Sequence, residues 1–359
     1  MKRKVLKTVL RRMAALLCVA AVGFALARYG VGEQLALAAA GLRRPEGVFS
    51  LLEGQTAAPP AYEAPAVPFE GVGDTTAADI PTTVTPLVEL PAITMTDPPA
   101  NRGDGGQRAE RVMSTGNRSK GVAVTNRSGT AVDIAAFLSN PLSLCWEKTD
   151  APQVLILHTH TTEGYMTYEA DYFNAADRNR TDDHSRNVCA VGEMVKRTLA
   201  ACGITAIHDT TIHDSPVYTG AYTRSAATAE KYLKEYPSIK IVLDLHRDSV
   251  MDGEVMVKPT ATVEGKKAAQ MMLITGVVST DALPHPEWRE NLTLSAHWQA
   301  ALDAVSPDLM RPLNLTASRY NQHLSPGWVL VEMGAEGNTI EEAVYSAQIL
   351  GRTLAELLG

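Results

Sequence analysis

The chain has 359 residues, 45% hydrophobic and 20% charged, which is enough for one large domain with additions. A net charge of -7, with no basic stripe interleaved with aromatics, sets nucleic acid aside as a partner. Four cysteines at irregular spacing do not make a disulfide framework in a chain of this length.

The first segment, residues 1–30, is basic and then apolar. Lys2, Arg3, Lys4, Lys7, Arg11 and Arg12 precede an apolar stretch from Met13 to Ala27, closed by Arg28. Positive charge ahead of an apolar segment leaves the N-terminus in the cytoplasm and sends the remainder outside. The stretch is shorter than the roughly 20 residues of a comfortable span, and Ala25-Leu26-Ala27 has the form of a cleavage site. A cleaved signal and a retained anchor both fit. The anchor is preferred, which predicts a single-pass protein of the cell membrane with its main domain on the extracytoplasmic side. Residues 31–110 are then expected to form a disordered linker, because Glu46 to Gly106 is rich in Pro, Ala, Thr and Gly with little apolar periodicity. The folded domain is expected over 111–359.

In chain order, Gly121 to Asn126 reads as a short strand and Val132 to Leu142 as a helix. Val154-Leu155-Ile156-Leu157 is a buried strand that runs into His158-Thr159-His160-Thr161-Thr162-Glu163. A polar loop from Asp171 to His184 follows, then a helix through Val188, Val191, Val195 and Leu199, stopped by Gly203. Ile204 to Ile207 reads as an interior strand, Tyr222 to Tyr236 as a helix and Ile241 to Leu245 as a strand. Glu254 to Val278 reads as two strands, Arg289 to Val305 as a helix and Trp328 to Met333 as a strand. Asn338-Thr339 can cap a last helix with Glu341 and Glu342 in its first turn. Strands alternating with helices predict an α/β fold, a mixed, mostly parallel sheet flanked by helices. In such sheets ligands gather beyond the carboxyl ends of the strands.

Three of these strands end on residues that can bind metal or move protons: His158, His246 and Glu332. His158, Glu163 and His246 make a His/Glu/His set of the kind that holds catalytic zinc, and Glu332 is the candidate to take a proton from water and return it to a leaving nitrogen. In an extended strand residues i and i+2 share a face, so either His158 or His160 can be the first ligand. His158 is preferred because it ends the apolar run. Asp244 shares a strand face with His246 and can orient it. Arg247, with its neighbour Asp248, pairs locally or with the loop, and Tyr222 and Arg224, like Arg319-Tyr320-Asn321-Gln322, are candidates to line a substrate cleft or equally to stand on the surface. His208-Asp209 and His213-Asp214 are read as a solvated loop rather than a second metal pair.

The stretches His158-Thr-His-Thr-Thr-Glu-Gly-Tyr165, His208 to Asp214, Tyr222-Thr-Arg-Ser225, Asp244-Leu-His-Arg-Asp248, Arg319 to Gly327, and Glu332-Met-Gly followed by Asn338 to Ala343 resemble the stage II sporulation protein P family. The resemblance covers roughly the last two-thirds of the chain. It implies a membrane-anchored peptidoglycan hydrolase of endospore formers, with the fold of zinc amidases, acting in septal wall remodelling and engulfment. The implied reaction is cleavage of the amide between N-acetylmuramic acid and L-alanine, with cross-link endopeptidase activity besides. Zn2+ on His158, Glu163 and His246 is implied, with Glu332 as acid and base. Stage II sporulation proteins D and M are the implied partners. One departure is that in related amidases the glutamate lies farther from the first histidine. A catalytically silent wall-binding scaffold for a partner hydrolase is the rival from another class, and a zinc carboxypeptidase the rival among enzymes.

Overall fold

The computed structural model describes residues 88–359, apart from 176, 178, 179, 279, 281 and 282. The basic start, the apolar stretch and most of the linker expected from the sequence lie outside the described residues, and no helix among those described is long and apolar enough to cross a membrane.

In chain order the elements are β1 (Gln107–Arg111), β2 (Asn117–Ser119), β3 (Val122–Asn126), α1 (Ile134–Ser139), β4 (Val154–Leu157), α2 (Val188–Ala201), β5 (Ala206–His208), α3 (Ala221–Glu235) and β6 (Ile241–Asp248). They continue with β7 (Met251–Asp252), β8 (Val255–Val263), β9 (Lys266–Ala269), β10 (Met271–Gly276), α4 (Trp288–Val305), β11 (Leu313–Thr316), a 3-10 turn (Gln322–Leu324), β12 (Trp328–Ala335) and α5 (Ile340–Leu357). The large sheet has eight strands in the order β2-β3-β11-β10-β12-β6-β4-β5. Within it β12, β6, β4 and β5 are mutually parallel. β10, β11 and β3 form a second parallel block, joined to the first where β10 meets β12 antiparallel. This is the mixed, mostly parallel sheet the sequence predicts.

The central strands are apolar on both sides because both sides are covered. On one side Val154 and Ile156 of β4, Leu243 and Leu245 of β6, and Val329 and Val331 of β12 pack with α2, α4 and α5 in the main core. On the other, Leu155, Leu157, Val242 and Trp328 pack with Ala229 of α3. α5 begins at a capping box in which Thr339 Oγ1 accepts from Glu342 N while the Glu342 carboxylate accepts from Thr339 N. The cap stands one residue after Asn338, whose Oδ1 accepts from Ala335 N at the end of β12.

Besides β2 and β11, strands not expected from the sequence, three features differ from expectation. Residues 88–110, expected to belong to the linker, lie along the domain. Val88, Leu90, Ile93 and Met95 pack against the main core, Thr96 N donates to Thr167 O, and β1 pairs parallel with β8. Apolar side chains interspersed among prolines suffice to dock this segment without regular structure, and composition averaged over the whole stretch hides them. The Glu254 to Val278 region holds three strands, not two: β8 turns into β9 in a small second sheet with β1 and β7, and β10 then joins the large one. β5 is an edge strand, not an interior one.

Candidate metal centre

β4 stops at Leu157, and the chain turns at once: Glu163 N donates to His160 O at 3.1 Å. This turn sets His160 beside Glu163, with Nδ1 of the imidazole 3.2 Å from Glu163 Oε1. On β6, residue alternation puts Asp244 and His246 on the α3 side with Val242, and on β12 it puts Glu332 on the same side with Trp328. The parallel register aligns Glu332 with His246 across the two strands. His246 Nδ1 comes to 3.4 Å from Glu163 Oε2. One donor atom each from His160, Glu163 and His246 therefore gathers within 4.8 Å of the others, the one such group among the described residues.

His158, preferred from the sequence, is not part of this group. It continues the alternation of Val154 and Ile156 and faces α2, on the opposite side of the sheet from His246. Its Nδ1 donates to Leu245 O at 2.9 Å, which leaves Nε2 to accept from His208 Nε2, also at 2.9 Å. Burial, and then the neighbouring His208, hold the ring down at about 3, so it stays neutral. His160 joins the candidate donor set because the turn, not a continued strand, orients it.

The donors are tightly braced. Asp244 accepts from Thr159 N at 2.8 Å and from Thr159 Oγ1 at 2.7 Å, which ties the turn to β6. Its Oδ1 also lies 3.0 Å from His246 Nε2, leaving Nδ1 toward Glu163. Glu163 Oε2 accepts from Arg247 N at 3.0 Å, and the Arg247 guanidinium donates to Gly164 O. His213 donates through Nδ1 to His158 O, and Asp214 accepts from Thr162 N, Thr162 Oγ1 and Arg180. The His208 to Asp214 stretch, expected to be solvated, thus buries Asp209, His213 and Asp214 as a brace under the turn. His213 is 2% exposed.

Two candidates for the cleft act on its walls. Arg224 donates to His213 O, Val217 O and Thr219 O and so pins the loop before α3. Asn321 donates to Tyr222 O and Ser225 Oγ. Sequence reasoning missed Arg180 and Tyr218, while Tyr222 and Tyr320, offered from the sequence as cleft residues, do lie at the site. Arg180 lies in the polar loop, pairs with Asp214 at 2.5 Å and reaches Glu163 at 3.5 Å. Tyr218 stacks on His160 with centroids 4.6 Å apart, and Tyr222 meets His160 edge-on at 5.6 Å. Tyr222 stands in the first turn of α3, whereas Tyr218 carries no sequence signal, since a tyrosine in a loop looks the same whether or not it faces a site.

The charges decide what the site can hold. Burial alone would raise Glu163, yet the hydrogen bonds of His160 and His246 and the charges of His246 and Arg247 hold it well below the usual carboxylate range. For His246 burial disfavours the cation, but Asp244 and Glu163 outweigh it and raise its pKa well above the ordinary value. Glu332 is pushed up to about 8 by burial and by Asp248, and its Oε2 is buried without a hydrogen-bond partner. Three carboxylates crowd two imidazoles, and one carboxylate oxygen is unpartnered. This is an environment that a bound cation relieves. The nitrogen and oxygen donors of His160, Glu163 and His246 fit a divalent metal ion, with Asp244 as the carboxylate that orients a ligand histidine.

Fold and site together define an α/β protein with a candidate metal centre at the carboxyl ends of parallel strands. The chain belongs to the stage II sporulation protein P family, whose model matches residues 100–355. Among solved structures, the chain is similar to the apo form of the N-acetylmuramyl-L-alanine amidase Ami1 from Mycobacterium abscessus, with 13% identity over 58% of this chain and 100% of that one and a TM-score of 0.34. It is similar to an N-acetylmuramoyl-L-alanine amidase from Clostridium difficile 630, at 12% identity over 58% and 95% with a TM-score of 0.35. It is also similar to the CwlD amidase from Clostridioides difficile, solved in complex with the GerS lipoprotein, at 13% over 57% and 95% with a TM-score of 0.34. No curated protein matches the chain.

Proposed function

We propose that this protein is a zinc-dependent peptidoglycan hydrolase that cleaves the amide between N-acetylmuramic acid and L-alanine. The observation that carries the reading is the gathering of His160, Glu163 and His246 beside a raised, unpartnered carboxyl at Glu332. Zinc held by these three residues would supply Lewis acidity at the amide carbonyl and a positive charge that favours ionised Glu332. Glu332 Oε2 then accepts a proton from the attacking water as the water oxygen bonds to the carbonyl carbon. As the C–N bond breaks, the same carboxyl returns that proton to the leaving nitrogen, and with the second proton of the water passing to the amine the products are the lactyl carboxylate and the L-alanine ammonium. A pKa of about 8 before metal binds leaves room for the cation to bring Glu332 down toward neutrality, where a group can both take and give a proton. Asp244 holds His246, Arg247 N holds Glu163, and neither exchanges a proton with the substrate. Membership of the sporulation family supports a role in septal remodelling and engulfment, on the extracytoplasmic face, with stage II sporulation proteins D and M as partners and cross-links as a second substrate.

Purified sacculi provide the test. The protein is expected to release stem peptides, to lose this activity with a chelator and regain it with zinc, and to lose at least about 1000-fold in Glu332→Gln while that variant keeps its zinc. Absence of zinc from the wild type, or full activity in Glu332→Gln, would overturn the mechanism. Binding to sacculi with no release of peptide would support the scaffold instead.

A further inference from the structure

The tyrosines around the donor set differ from most other tyrosines among the described residues. Tyr165, Tyr168, Tyr172, Tyr232 and Tyr345 each give their hydroxyl to a carbonyl or carboxylate oxygen. Tyr218, Tyr222 and Tyr320 do not, and these three form a row along the site. Tyr218 stacks on His160, Tyr222 meets His160 and His246, and Tyr320 lies 5.6 Å from Tyr222. Tyr218 is 52% exposed, and among the described residues no other Phe, Trp or Tyr is exposed.

The row is built and held. Arg224 donates to the carbonyls on both sides of Tyr218, Val217 O and Thr219 O, and the Arg180 guanidinium sits 4.8 Å from the Tyr218 ring centre. Tyr320 and Asn321 both have left-handed backbone, at φ 43° and 60°, a conformation that asparagine adopts readily but that costs a tyrosine about 1 kcal/mol or more. The Asn321 amide secures that turn on α3 through Tyr222 O and Ser225 Oγ. Strain kept in place by dedicated hydrogen bonds, at the rim of a reactive site, is a reason to look for a bound partner there.

The ligand's chemistry follows from charge. The cations beside the row are already engaged: Arg180 by Asp214 and Glu163, Arg224 by three carbonyls, Arg247 by Gly164 O. Carboxylates dominate the floor. A surface of tyrosine faces and hydroxyls without hydrogen-bond partners, whose neighbouring guanidiniums already donate to protein oxygens, suits a neutral hydroxyl-rich ring better than an anionic stem peptide. We propose that Tyr218, with Tyr222 and Tyr320, is the saccharide-binding wall of the cleft: a pyranose of the glycan strand packs on Tyr218, and the hydroxyls of the row bond to sugar oxygens. This rests on the amidase reading for its substrate but is tested apart from it.

Glu332→Gln is titrated calorimetrically with N-acetylglucosamine–N-acetylmuramic acid oligomers stripped of peptide. Binding is expected, and Tyr218→Ala in that background weakens it about tenfold or more, whereas Tyr218→Phe stays within about threefold. With the otherwise native enzyme on sacculi, Tyr218→Ala raises KM about tenfold and leaves kcat within about twofold. No binding of stripped glycan, an unchanged affinity in Tyr218→Ala, or Tyr218-dependent binding of free stem peptide alone would each overturn the proposal. Release of stem peptides by the wild type judges the amidase reading independently of all three.

Discussion

His158 and His160 are separated by one threonine and end on opposite sides of a sheet. The first is enclosed, with both ring nitrogens hydrogen-bonded, and the second stands in a turn with a carboxylate on one side and Tyr218 on its face. Their substitutions should therefore separate. His160→Ala is expected to weaken zinc binding about 100-fold or more, with the melting temperature of the metal-free protein nearly unchanged. His158→Ala leaves His208 and Leu245 O without their partner in a buried site and should cost about 2 to 4 kcal/mol of stability, with zinc affinity of the folded protein kept within about tenfold. Competition with a chromophoric chelator reads the first quantity and urea denaturation the second. If His158→Ala instead loses zinc while remaining as stable as wild type, the ligand belongs to His158 after all.

At the scale of elements, the strand ends were legible and their faces were not. A run such as Val154 to Leu157 shows in the sequence because burial on both sides demands apolar residues throughout, but that uniformity erases the alternation that would reveal which side His158 takes. Asp244 and Asp248 on β6 and Glu332 on β12 stood out because a polar residue in an apolar strand has few causes. The buried brace of His213 and Asp214 did not, since Thr, His and Asp between elements match a solvated loop in composition. α2 carries a constraint of its own. A Cβ at Gly192 would come within 2.5 Å of His208 Nε2 and 2.8 Å of His158 Nε2. Alanine is worth about 1 kcal/mol over glycine inside a helix, so Gly192→Ala tests which term wins. With His158 fixed by hydrogen bonds, overpacking should dominate, and a net loss of about 1 to 3 kcal/mol is expected by urea denaturation. A stabilised variant would show that the imidazole pair yields freely.

For the whole molecule, the sheet class and most elements followed from apolar periodicity, while the start of the folded unit did not. The second sheet is the reason. β1 gains its order from β8, some 150 residues later, so its own sequence, Gln107-Arg-Ala-Glu-Arg111, has no apolar pattern to announce it. Arg108 in that strand is 4% exposed and donates to Tyr168 O, with Glu169 as its ion-pair partner. A chain beginning at residue 88 should keep the melting temperature of the full protein, whereas one beginning at 112 loses β1, this buried arginine and the apolar cover of Val88 to Met95. A drop of about 5 °C or more is expected on a thermal scan. Equal melting temperatures for the two would place the boundary where composition put it.

The hydrogen bonds from Thr159 to Asp244 span 85 residues of sequence. Two donors stand on the turn at one end of that clamp and the third on the strand at the other, so no short peptide of this chain carries the complete set. The donors meet only after β4 and β6 have paired in register, a step that closes a long loop and comes slowly. For the metal centre proposed above, uptake is then expected to be a late event in the life of the chain, thermodynamically part of its folding, and occupancy is expected to serve as a clock for completion of the central sheet.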